Sequence, residues 1–205
     1  MTGVCGSGII ELVAELFLAG VIAADGVIDG AAAARTPRVE AQGRAFVYVL
    51  REGALRLVLT QTDVRAIQLA KAALHAGASL LLDRAALSAP DRIVLAGAFG
   101  SHIDPLYAMT LGMLPDCDPA RVSSAGNAAG TGARIALLNR GSRAEIEGVA
   151  RRIEKIETAI EPAFQNRFVA AMALPHASDP YERLARVMTL PERASGATPR
   201  RRRAR

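Results

Sequence analysis

A chain of 205 residues with 51% hydrophobic content can bury one good core and still leave a tail over. No apolar run is long enough to span a bilayer, and no basic segment followed by an apolar one opens the chain, so neither a membrane protein nor a secreted one is expected and the reading is cytoplasmic. The net charge of +5 is matched by the five terminal arginines Arg200, Arg201, Arg202, Arg203 and Arg205, which leaves the body neutral; with 4% aromatic residues and no Trp, a single-strand-binding surface is not expected either.

The first elements read from local pattern. After Gly3-Val4-Cys5-Gly6-Ser7-Gly8 a helix is expected, with Ile9, Val13, Leu16 and Phe17 on one face and Ile10 beside them. The Ala-, Gly- and Arg-rich stretch 25–42, with Pro37, reads as a loop. Two strands follow, 45–50 and 55–60, and Glu52-Gly53 between them reads as a hairpin turn. Thr60-Gln61-Thr62-Asp63 has the spacing of a helix start, in which a hydroxyl accepts a free N–H and the acid faces the helix dipole. The helix behind it is expected to present Val64, Ile67, Ala70 and Leu74 on one face, to leave Lys71 solvated and to stop at Gly77, with a short helix resuming near Leu80.

Ile93-Val94-Leu95-Ala96 is a short unbroken apolar run, expected to form a strand buried on both faces. It enters the glycine turn Gly97-Ala98-Phe99-Gly100, where the backbone can bend and approach a ligand closely. Asp104-Pro105 opens a short helix to Leu111. A second strand, 122–125, leads into Gly126-Asn127-Ala128-Ala129-Gly130-Thr131-Gly132, and a helix is expected over 129–139. Ser142-Arg143-Ala144-Glu145 reads as a capping box for a helix running to Pro162, with Ile146, Val149, Ile153, Ile156 and Ile160 on one side. Phe164, Phe168 and Met172 mark a further helix. The folded domain is expected to end near residue 175, followed by a poorly structured basic tail over 176–205. The three glycine-rich turns are expected to gather around one ligand.

Candidate reactive residues are few. Cys5 and Cys117 provide neither a disulfide framework nor zinc spacing, and Cys5 reads as a small buried cysteine. His75, His102 and His176 are scattered, so no metal site is expected. Asp63 and Asp104 read as helix caps, and no catalytic residue is assigned.

Taken together, "GVCGSGIIELVAELFLAGVI", "LTQTDVRAIQLAKAALHAG", "IVLAGAFGSHID", "SSAGNAAGTGARIALLN" and "IEKIETAIEPAFQNRFVAAMALP" resemble the C-terminal ATPase domain of the reductive activators of corrinoid proteins, over about residues 3–175. That family belongs to the ASKHA superfamily. The resemblance implies an α/β fold of ribonuclease-H-like (actin-like ATPase) type, with a sheet flanked by helices, and additional C-terminal helices. It implies ATP as the nucleotide, with Mg in the full-length family, and a corrinoid (cobalamin) methyl-transfer protein as partner.

By that resemblance Gly97, Ala98, Phe99 and Gly100 form the adenosine-binding turn. Gly126, Asn127, Gly130 and Gly132 form the second connecting segment, and Gly6, Ser7, Gly8 and Glu11 stand near the ribose and adenine. The family's phosphate loops and its 2Fe-2S domain precede the "CGSG" helix and have no counterpart in this sequence. The chain is therefore expected to be the nucleotide-binding, adenosine-side half of such an ATPase, completed by an N-terminal half or by a homodimer. Two other readings remain open: a non-catalytic interaction module, and a nucleic-acid-binding protein acting through the arginine tail.

Overall fold

The computed structural model describes residues 2–158 and 160–191. Helix α1 (Gly6–Leu18) buries Ile10, Val13, Ala14, Leu16 and Phe17, the face that its 3.6-residue periodicity dictates. The following loop is more ordered than its composition suggests. Ile22 bridges Ile28, a 3-10 turn covers Gly30–Ala34, and strand β1 (Val39–Gln42) follows. This strand is absent from the sequence reading. Its ladder is supplied by a partner, β2 (Ala45–Arg51), with Val39 opposite Tyr48 and Gln42 opposite Ala45. β2 pairs in turn with β3 (Leu57–Leu59), so the three strands form an antiparallel sheet in chain order.

Thr60 starts α2 (Gln61–Arg84) as expected: its hydroxyl accepts from Asp63 N and the Asp63 carboxylate accepts from Thr60 N at 2.8 Å. The helix does not stop at Gly77. It continues unbroken for 24 residues, because Leu80 beyond the glycine is buried and holds the last two turns against the body. The predicted face is also rotated. Leu74 is exposed, whereas Gln68, Lys71 and His75 are buried together with Val64, Ala72, Ala76 and Leu80. Lys71, expected in solvent, has no exposed surface.

What covers these polar side chains is the segment after α6 (Phe164–Ala170), itself packed along α2. Gln68 Nε2 donates to Asp25 O at 3.0 Å and to Met172 O at 2.7 Å. Lys71 Nζ donates to Pro175 O at 2.8 Å and also to Ala173 O. The Tyr181 hydroxyl donates to Leu114 O at 2.7 Å and stands 3.3 Å from His75 Nδ1. The Asp116 carboxylate accepts from Arg183 N and Leu184 N at 2.8 and 3.1 Å. Tyr181 and Leu184 are both fully buried. The boundary expected near residue 175 therefore falls inside packed structure, and residues 176–191 belong to the body. The tail arginines 200–205 lie outside the described residues.

The second sheet is small. Strands β4 (Ile93–Ala96) and β5 (Val122–Gly126) pair in parallel, Ile93 opposite Val122 and Val94 opposite Ser123. Between them run a 3-10 turn (Phe99–Ser101) and α3 (Pro105–Thr110), which Asp104 caps by accepting from Leu106 N at 2.8 Å. β4 is not buried on both faces: Ile93 and Leu95 pack on the core, but Val94 is half exposed. With only β5 beside it, β4 is left partly covered on its other face.

Helix α4 (Ala128–Leu138) follows β5 and packs on α5 (Arg140–Ala150). α5 begins two residues before the predicted box: Asn139, not Ser142, is the cap, accepting from Gly141 N at 2.9 Å and Ser142 N at 3.3 Å. It ends at Ala150 rather than near Pro162. The isoleucine stripe beyond it is not a buried helical face, and Ile153 and Ile160 are exposed.

Candidate functional site

The carboxyl ends of the parallel strands β4 and β5 carry the two interior glycine turns, and the start of α1 carries the third. The ends of parallel strands are where open α/β sheets hold ligands. Gly97 N donates to Gly126 O at 2.7 Å, joining the two turns directly. Both glycines have positive φ, 106° for Gly97 and 60° for Gly126, where a side chain would strain the backbone. Around a Cβ at Gly97 there is open space.

A serine pair, unforeseen from sequence, reinforces the junction. Ser101 Oγ donates to Gly97 O at 3.3 Å and lies 3.3 Å from Ser124 Oγ, which accepts from Gly126 N at 3.1 Å. The signal for it was the serine-glycine spacing in "SSAG", which reads equally as turn chemistry.

The third turn joins through a side chain. A Cβ on Gly6 would lie 2.6 Å from Phe99 Cε2, so the ring edge occupies the space a larger residue would fill. Gly6, Gly97, Phe99 and Gly126 are thus brought together from three separated stretches. Ala98 caps the 3-10 turn, and Gly100 packs beneath Leu95, its would-be Cβ 3.1 Å from the Leu95 Cβ.

Asn127 is occupied as the cap of α4, accepting from Gly130 N at 2.9 Å; Gly130 underlies that amide, and Gly132 borders open space. α1 lacks a side-chain cap of that geometry at Cys5. Ser7 Oγ stands 3.6 Å from Cys5 Sγ, and Gly8 packs against Cys5 and Val4.

Cys5 is exposed, not buried as expected, and its thiol is lowered from its ordinary value, chiefly by the Ser7 hydroxyl and then by the Gly8 N–H. Glu11 lies one turn further along α1, near enough to Tyr107 of α3 to act on its phenol. Its charge, with those of Glu15 and Asp104, helps raise the Tyr107 phenol, which is shifted first by its hydrogen bond to Glu15.

The glycine turns fit a nucleotide in one respect: at Gly97 and Gly132 nothing stands within 4 Å of where a Cβ would be, so a ligand can approach the backbone there. A divalent metal or an iron–sulfur cluster finds no comparable fit among the described residues. No group of three or more His, Cys, Asp or Glu side chains is gathered there, Cys5 is exposed, and Cys117 is buried in the core.

Strand pairing, flanking helices and convergent glycine turns define a subdomain of the actin-like ATPase class. A family model described as the C-terminal domain of RACo, the ASKHA domain, matches residues 1–185. The chain belongs to that family. It is similar to the corrinoid activation enzyme RamQ of Eubacterium limosum, 38% identical over 179 residues, which cover 82% of this chain and 30% of RamQ. It is also similar to a solved reductive activator for corrinoid, iron-sulfur protein, at 36% identity and a TM-score of 0.74, over 85% of this chain and 28% of that one. The chain therefore spans about a third of the length of the relatives it matches. No described helix is long and apolar enough to cross a membrane.

Proposed function

We propose that this chain supplies the adenosine-side wall of the ATP site of a cytoplasmic reductive activator of corrinoid proteins. One observation carries the reading: the Gly97 N to Gly126 O bond closes two glycine turns at the ends of a parallel strand pair, and Phe99 ties them to the start of α1 at Gly6. Gly97, Ala98, Phe99 and Gly100 line the adenosine, Gly6, Ser7 and Gly8 border the ribose, and the segment Gly126–Gly132 forms the hinge side. When bound, ATP supplies the free energy that drives reduction of a corrinoid partner protein. This chain's own part is to bind and orient the nucleoside. Phosphate- and Mg-holding groups, and a 2Fe-2S centre delivering the electron, belong to protein segments outside this chain.

Those segments have a place to dock. Val94 on β4, Ile135, Leu137 and Leu138 on α4, and Ile146 and Val149 on α5 are all exposed. Parallel strands are ordinarily covered on both faces, and apolar side chains left exposed in this number are typical of partner surfaces. A complementing half fits them. A homodimer through these exposed residues is the second reading.

The direct test is equilibrium titration of ATP against the 205-residue chain. Saturable binding that is lost in Gly97→Ala, with the far-UV spectrum unchanged, is the expected result. A wild-type chain that binds no ATP, alone or with a complementing polypeptide, would sink the proposal. Sedimentation of the chain separates the docking readings, since a monomer that remains a monomer at high concentration excludes the homodimer.

A further inference from the structure

Phe99 has an environment unlike that of a core aromatic. The residue is 52% exposed, whereas Phe17 is 1% exposed. Yet the residue is not loosely held. The edge of the ring sits in the recess left by the missing side chain of Gly6, and the backbone is fixed by His102 N donating to Phe99 O at 3.0 Å. Ser101, two residues on, ties the same turn back to Gly97 O.

An alanine at the first position of α1 would favour the helix more than glycine does, so the glycine costs helix stability. The recess it leaves is what the ring uses. The result is an aromatic ring pinned along one edge, still half exposed, at the carboxyl ends of a parallel strand pair. Exposed aromatic faces stack nucleobases, because every base presents a π face of matching size.

We propose that the Phe99 ring is the platform on which the base of a purine nucleotide stacks, and that Gly6 is the positioning residue that seats the ring. The inference rests on the nucleotide reading above and adds what selects the ligand: the base is gripped through its face, so a purine, with its larger π surface, is preferred to a pyrimidine.

The test uses the full 205-residue chain and two variants at the ring. Phe99→Leu keeps the apolar bulk and removes the π face; Phe99→Tyr keeps the face. Phe99→Leu is expected to raise the Kd for ATP by about 5- to 150-fold, equivalent to the ~1–3 kcal/mol of one base–aromatic stack. Phe99→Tyr is expected to restore binding. Gly6→Ala, which pushes the ring aside, is expected to weaken ATP binding in the same direction. Wild type is expected to bind ATP more tightly than CTP, and Phe99→Leu to lose that preference.

A readout that a purely structural role would not move is the fluorescence of 2-aminopurine riboside triphosphate. It is expected to be quenched on binding to wild type and to Phe99→Tyr, and not on binding to Phe99→Leu. ATP binding by wild type that is unchanged in Phe99→Leu, or bound 2-aminopurine nucleotide with undiminished emission, overturns the stacking role and leaves the nucleotide reading standing. A wild-type chain that binds no nucleotide of either kind removes both.

Discussion

Replacing Lys71 by Met tests the burial of a charged side chain. Lys71 is wholly buried, its Nζ donates to the carbonyls of Ala173 and Pro175, and burial lowers its pKa from 10.5 to about 7. The folded value lies below the unfolded one, so between about pH 7 and 10.5 the unfolded chain holds more protons than the folded chain. Wild-type stability should therefore rise with pH across that window and fall as pH drops back toward 7. The ceiling on the swing is about 5 kcal/mol, from a displacement of about 3.5 units at about 1.4 kcal/mol each. The two carbonyl acceptors favour the ammonium and hold the measured swing below that ceiling.

Lys71→Met keeps the volume but leaves both carbonyls without a donor, at about 1–3 kcal/mol apiece. The variant should be clearly destabilised at pH 10 and much less so at pH 6, where it no longer buries a charge. Urea unfolding followed by far-UV circular dichroism at several pH values measures this, because the chain has no Trp to report by fluorescence. Parallel stability curves for wild type and Lys71→Met between pH 7 and 10 would falsify the account.

Four further outcomes follow from the fold. Tyr181→Phe removes the donor to Leu114 O and should cost about 1–3 kcal/mol, lowering Tm by about 2–4 °C for each kcal/mol; an unchanged melting curve would mean the hydroxyl is not holding the C-terminal segment. Gly112→Ala would set a Cβ 1.8 Å from Pro175 O at a φ of 73°, and little soluble folded protein is expected, whereas Gly132→Ala meets nothing within 4 Å inside a helix and should raise Tm slightly. Thr60→Ala removes the hydroxyl side of the α2 capping box and should cost about 1 kcal/mol by urea titration; a loss below the error of the fit argues against the cap.

The legible parts of the fold were those whose cause is local. The Thr60–Asp63 box, the Asp104-Pro105 start of α3, the β2–β3 hairpin and the apolar face of α1 each depend on residues within a turn or two of one another. The candidate site was partly legible for the same reason, since glycine turns after apolar runs are visible as strings. That Gly6 makes room for Phe99 was not, because 93 positions separate them and either residue alone reads as ordinary. The Ser101–Ser124 pair was hidden in the same way. The Ser142–Glu145 string reads as a capping box, yet Asn139 is the cap, because where α5 starts depends on where α4 ends.

What the sequence by itself determined was most of the elements, the family and the three turns that make a nucleotide site conceivable. Local hydrogen bonding and hydrophobic period need no distant partner to be read. Tertiary structure alone decided which side of α2 faces inward and what the chain after residue 170 does. The period of α2 favoured Leu74, yet the inward face carries Gln68, Lys71 and His75, because the carbonyls of residues 172–175 and the Tyr181 hydroxyl arrive there to receive them. His75 stays neutral at that place, pushed down to about 4 chiefly by burial and then by its neighbours His176 and Lys71. A buried donor is tolerable only where an acceptor meets it, and that meeting, more than 100 positions apart in the chain, is not recorded in any window of sequence.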